Sequence, residues 1–146
     1  MPIKKNIRDI QGFPKAGILF KDITPLLIDP QARTKCLEIL LSGLKDRKID
    51  KVVGVESRGF FFGMLLAHEL NAGFIPVRKP KKLPYKTISA TYDLEYGTDT
   101  LEIHTDAIQK GIEYSFTTMF WQRAERQKRF ANWLKNWVAK LCNSIS

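Results

Sequence analysis

The sequence predicts an α/β domain built on a parallel sheet, and three observations carry that reading. Val52 to Val55 is a short, apolar, largely β-branched run, which fits a strand covered on both faces. Helical content follows from Phe60 to Leu70 and is closed by the stop signal Asn71-Ala72-Gly73. Gly73 to Arg78 then reads as a second strand, and a strand–helix–strand unit of this length makes a right-handed crossover between parallel strands.

Composition bounds the rest. The 146 residues suffice for one domain with a real core. No apolar run is long enough for a membrane span, and the N-terminus lacks the apolar core of a signal peptide. Cys36 and Cys142 have no metal-ligand spacing and only two histidines are present, so a reduced cytosolic setting is expected. The net charge of +9 points to acidic partners: nucleotides, phosphates, nucleic acid or a membrane surface.

Taken in order, residues 1 to 12 read as a weak opening helix. Phe13 to Leu27 is punctuated by Pro14 and Gly17. Its Ile18 to Phe20 run is either an edge strand of the core or a surface offering backbone groups to a flat ligand. Asp29-Pro30 starts a helix through Leu44, with Pro30 suited to the first turn and Cys36, Leu37, Ile39, Leu40, Leu41 and Leu44 as its core face.

The corner after Val55 holds Glu56, Ser57, Arg58 and Gly59. Ligands of open α/β sheets sit at the carboxyl ends of strands, where a helix start presents free amides to anions. Arg58 there suggests phosphate or pyrophosphate; the plain alternative is a strand–helix corner with a solvated arginine. The basic, proline-containing loop Lys79 to Lys86 has three readings: a nucleic-acid patch, a solvated loop, or a phosphate-facing flap. Thr87 to Glu95 and Thr100 to His104 form a hairpin whose tip places Glu95 and Tyr96 together.

Four separated stretches, Phe13 to Leu27, Val52 to Gly63, Arg78 to Thr87 and Leu94 to Asp106, together resemble adenine phosphoribosyltransferase, collinearly over residues 3 to 111. The Phe13 to Leu27 string, Ser57-Arg58-Gly59 and the Leu94-Glu95-Tyr96-Gly97 tip are its specific parts. The resemblance implies a type I phosphoribosyltransferase fold: a parallel sheet with flanking helices, an N-terminal hood and a flap hairpin. It implies transfer of phosphoribose from phosphoribosyl pyrophosphate, with magnesium, to adenine, giving AMP and pyrophosphate. It also implies a cytoplasmic homodimer of purine salvage, with neither nucleic acid nor membrane as partner.

The same resemblance implies roles for residues. Backbone groups of Leu19 and Lys21 would bond the adenine edge, with Phe20 beside them, since a mismatched edge would leave buried groups unpaired. Arg58 would clamp pyrophosphate with its guanidinium fork. A cis Glu56–Ser57 bond would turn an amide toward the same group. Arg78, Lys79 and Lys82 would stabilise a leaving group that gains charge as its bond breaks. Glu95 would handle the purine proton or steady positive charge on the sugar. Tyr96 would close over pyrophosphate and help exclude water.

After Lys110-Gly111 the resemblance ends. The family continues with a strand and a loop close to HDDVLATGGT, whose paired acids hold ribose and whose amides cradle the 5′-phosphate. Here no glycine follows Gly111 and no aspartate follows Asp106. The genetic code offers an explanation. Read one base earlier, Met119 into Phe120 forces valine, Phe120 into Trp121 leucine, and Trp121 into Gln122 alanine. The junctions from Gln122 to Arg126 allow Thr-Gly-Gly-Thr, and those from Phe116 to Met119 allow His-Asp-Asp. Residues 112–146 then read as the family's next segment in a shifted frame, with the slip near Gln109 to Ile112.

The resulting division is a truncated phosphoribosyltransferase domain over 1–111 and a basic tail over 112–146, with the C-terminal part of the core missing or replaced. The tail carries all three tryptophans and six basic residues against two acidic ones. Arg123 to Leu141 could form a helix with Phe130, Leu134, Trp137, Val138 and Leu141 on one face; out of context it would suggest a membrane-surface or nucleic-acid element. Without the family's strand and helix, an uncovered apolar sheet edge, a poorly packed tail and little or no activity are expected. The enzyme, an inactive remnant of it, and a basic binding module are the three functional readings.

Overall fold

The computed structural model describes residues 3–94, 97–117 and 124–144. They fall into two compact units: residues 3–47 with 124–127, and residues 48–94 and 97–117 with 128–144.

In the first unit a 3-10 turn, Ile3–Asn6, leads into strand β1, Arg8–Gln11, which pairs antiparallel with β2, Leu19–Asp22. The opening helix expected over residues 1 to 12 is therefore replaced from Arg8 by a strand. The pairing of Asp9 with Lys21 and Ile10 with Phe20 outweighs a weak local helical preference. Leu19 and Phe20 of the Ile18 to Phe20 run lie on β2 of this two-stranded ladder, separate from the parallel sheet, and Leu19 is exposed. Helix α1 spans Thr24–Ile28 and α2 spans Pro30–Ser42. Asp29 caps α2 by accepting from the Gln31 and Ala32 N–H groups at 2.9 and 3.1 Å, as N-cap acids do. Ala32 and Cys36 are the buried residues of α2; Ile39, expected on its core face, is exposed, and Leu37, Leu40, Leu41 and Leu44 are half-buried.

The second unit holds the parallel sheet, in the order β4-β3-β7. Strand β3, Lys51–Val55, is buried from Val52 onward and pairs in parallel with β4, Gly73–Val77. Helix α3, Arg58–Glu69, makes the crossover and buries Gly59, Phe62, Gly63, Leu66 and Ala67 at helical spacing. Its exposed side carries Phe61 and Met64. β5, Thr87–Asp93, and β6, Thr98–His104, form the expected hairpin, with Tyr92 opposite Asp99.

The tail departs from expectation. Strand β7, Tyr114–Thr117, lies parallel to β3 on the side away from β4. The Asp50 and Lys51 N–H groups donate to the Glu113 carbonyl at 2.9 and 3.2 Å. Helix α4, Ala124–Ser144, buries Leu134, Trp137 and Val138 in one cluster with Val53, Val77, Leu101, Ile103 and Ile108; Phe130, Trp133 and Leu141 pack against it. The β3 edge is thus paired and the tail helix is packed, where a bare edge and a poorly packed helix were expected. What edge and core require here is extended backbone and a continuous apolar face, and the tail offers both. Among the described residues, no helix is long and apolar enough to cross a membrane.

Candidate active site

The carboxyl ends of β3 and β4 bring the basic loop and the strand–helix corner together. The Glu56 N–H donates to the Val77 carbonyl at 2.9 Å, which fixes the corner against β4. The Glu56–Ser57 peptide is cis, and α3 begins at Arg58.

The Glu56 carboxylate organises the cluster. One oxygen, Oε2, accepts from Arg78 Nε at 3.2 Å, Arg78 Nη2 at 3.0 Å and Lys82 Nζ at 3.4 Å. The other, Oε1, accepts from the Lys79 backbone N–H at 2.7 Å. The Glu56 side chain is only 10% exposed, against 51% for Lys82 and 57% for Lys79. The Arg78 guanidinium carbon lies 5.9 Å from the Phe60 ring centroid, in cation–π range. Phe60 in turn meets Phe74 edge-on at 5.8 Å. The Arg78 backbone exchanges hydrogen bonds with Glu102 on β6, at 3.0 and 2.7 Å. Lys79 Nζ is 3.2 Å from Asp99, which also accepts from the Tyr92 hydroxyl at 3.2 Å. Burial, with Asp99 beside it, pushes the Tyr92 phenol up to about 12.

Burial alone would raise the Glu56 pKa. The Lys79 N–H, the Arg78 hydrogen bond and the charges of Lys82 and Arg78 outweigh it, and hold the group below the ordinary 4.5. A depressed carboxylate contributes stability that is complete above 4.5 and is lost as pH falls through the lower folded value. We expect Lys79 amide protection, followed by hydrogen exchange, to hold at neutral pH and fall away only below that ordinary value. Protection already lost above pH 4.5 would contradict it.

The expected site residues divide between the units. Glu56, Ser57, Arg58, Arg78, Lys79 and Lys82 lie in the second, and Glu56, Arg78, Lys79 and Lys82 are in direct contact there. Leu19, Phe20 and Lys21 lie on β2 in the first; Phe13 meets Phe20 edge-on at 4.9 Å, and Lys21 pairs with Asp9. Glu95 and Tyr96 lie outside the described residues. Sequence reasoning missed Asp99, Glu102 and Phe60; for Asp99, the hairpin register opposite Tyr92 was the available signal. Among the described residues, no three acidic, histidine or cysteine side chains converge to hold a metal ion.

A parallel sheet with cations gathered at its strand ends places the chain in the type I phosphoribosyltransferase fold class, and solved structures agree. The adenine phosphoribosyltransferase of Thermoanaerobacter pseudethanolicus superposes with a TM-score of 0.76 at 53% identity, over 78% of this chain and 66% of that one. The Saccharomyces cerevisiae enzyme, complexed with an imino-altritol bisphosphate and adenine, superposes with a TM-score of 0.71 at 41% identity, over 78% and 67%. Adenine phosphoribosyltransferase of Flavobacterium johnsoniae is 74% identical over 111 residues, 76% of this chain and 65% of its own length. No family model matches. The chain belongs to the adenine phosphoribosyltransferase family. It spans slightly under two thirds of the length of that Flavobacterium relative.

Proposed function

We propose that the gene for this chain encodes an adenine phosphoribosyltransferase of purine salvage, an enzyme making AMP and pyrophosphate from adenine and phosphoribosyl pyrophosphate. The observation that carries this is the 74% identity over 111 residues to an enzyme of that name. In the reaction a ring nitrogen of adenine attacks the anomeric carbon. The C–N bond forms as the C–O bond breaks, its electron pair leaves on pyrophosphate, and the purine loses a proton. Arg58, Arg78, Lys79 and Lys82 stabilise the departing anion through charge-assisted hydrogen bonds. Backbone groups of Leu19 and Lys21 read the adenine edge, with Phe20 on its face. Glu95 takes the proton, and Tyr96 closes over pyrophosphate. Magnesium, bound along with the donor, would add positive charge at the leaving pyrophosphate beside that of Arg58, Arg78, Lys79 and Lys82.

This proposal includes a cytoplasmic homodimer; the exposed Phe61 and Met64, one helical turn apart on α3, offer apolar surface for a second copy. It also takes residues 1–111 as the phosphoribosyltransferase part and 112–146 as the family's next segment read in a shifted frame. Two supports are the match over 111 residues and the forced Val-Leu-Ala in the alternative frame. An assay with adenine and phosphoribosyl pyrophosphate tests both parts. The product with its frame restored near Gln109 to Ile112 is expected to form AMP. The present chain should run at less than about a hundredth of that rate, because the donor's phosphoribose contacts are missing. No AMP from a folded, frame-restored product would refute the enzyme, and equal rates would refute the frame reading.

A further inference from the structure

The Arg78 to Lys82 segment is cationic and contains Pro80, which has no N–H to donate, and Lys81 at a φ of 67°. Glu56 ties it together. Its carboxylate receives the Lys79 N–H, two nitrogens of Arg78, Nε and Nη2, and the Lys82 ammonium, while Arg78 Nη1 reaches the Lys82 carbonyl at 3.4 Å. Arg78 is also seated over Phe60 and bonded through its backbone to Glu102. Two of its nitrogens already serve Glu56, so much of its hydrogen-bonding capacity goes into shaping the turn.

A carboxylate among cations meant for an anion is costly if Coulomb attraction is all that matters. It lowers the local positive potential, and removing it should tighten anion binding. Geometry argues the other way. Loose lysines repel one another and lose side-chain entropy when an anion collects them, whereas a held turn has already met that cost. We propose that Glu56 is a positioning residue that shapes the Arg78 to Lys82 turn for pyrophosphate. This rests on the reading of that loop as the pyrophosphate site.

The two accounts differ in sign, so one experiment separates them. Glu56→Gln in the full chain keeps the length and an oxygen for the Lys79 N–H. Its amide NH2, however, faces the donors of Arg78 and Lys82 and cannot accept from them. Binding of inorganic pyrophosphate with magnesium is measured by calorimetry, Lys79 amide exchange by NMR, and the fold by far-UV circular dichroism. Weaker binding by about tenfold or more, with faster Lys79 exchange and an intact fold, is expected despite the more positive charge. Tighter or unchanged binding overturns the proposal. Glu56→Asp covers the case in which the glutamine variant does not fold. It keeps the charge and shortens the reach, so weaker binding there comes from geometry, and unchanged binding overturns the proposal. No pyrophosphate binding by the wild-type chain overturns the reading of the loop and the proposal with it. Lys79 exchange in the variants then shows separately whether Glu56 orders the segment.

Discussion

Deleting residues 112–146 is expected to abolish cooperative folding of the sheet-bearing unit. Leu134 is completely buried, and truncating one such leucine to alanine costs about 2–5 kcal/mol. Trp137 and Val138 are buried in the same cluster, and β7 supplies the ladder along β3 from Lys51 to Gly54. A domain of this kind has about 5–15 kcal/mol of net stability to lose. The deletion removes several terms of that leucine's size at once. It also bares Val53, Leu101 and Ile103 and opens a strand edge to other chains. Urea unfolding followed by far-UV circular dichroism should show no sigmoidal transition, and the protein should bind hydrophobic dyes. A cooperative transition near that of the full chain would mean that β7 and α4 are not part of the core.

Gly54→Ala is expected to be the most damaging single-methyl change in the site's scaffold. A Cβ at Gly54 would stand 2.7 Å from two atoms of the Phe74 ring and 2.8 Å from the Gly59 carbonyl oxygen. Real Cβ contacts are not that short, and the Gly59 oxygen is backbone in the first turn of α3. The methyl must therefore push the helix start away from β3 or displace the ring that supports Phe60. Overpacking of this kind costs about 1–3 kcal/mol. The urea midpoint should fall with an unchanged slope; under the proposed role of Arg58, which opens the displaced helix, pyrophosphate binding should weaken as well. Gly43→Ala is the control. Its φ is −73°, and the nearest atom to an added Cβ is 3.6 Å away, so stability should hold. A Gly54→Ala protein as stable as wild type would show that β3 and α3 are not this close.

The parts legible in the sequence were those where local pattern and fold agree. Val52 to Val55 is largely β-branched and followed by a turn, so β3 could be read directly, as could a second strand over Gly73 to Arg78, and the crossover rule made the two parallel. The Phe130, Leu134, Trp137, Val138 and Leu141 face was visible at helical spacing and is the face that packs. Strand β7 was not legible. Four residues, Tyr114 to Thr117, carry little periodicity, and the open edge of β3 makes them a strand. Local preference likewise gave way at Arg8 to Gln11, where pairing with β2 decides the conformation. In the site, individual cations were visible but their gathering on Glu56 was not, because contacts 22 to 26 residues apart leave no local mark.

The aromatic stack along α4 has a spectroscopic consequence. Trp133 lies 4.9 Å from Tyr92 and 5.5 Å from Trp137, and residues 1–111 contain no tryptophan. Intrinsic emission excited at the red edge of indole absorbance therefore comes from the tail alone. Through Trp133 and Trp137 it reports whether α4 is seated against the hairpin, and it carries no direct signal from β4 or the basic loop. Backbone ellipticity samples the whole chain. Coincidence of the two signals on one denaturation curve is thus a direct measure of whether the tail and the family-related portion melt as a single cooperative body.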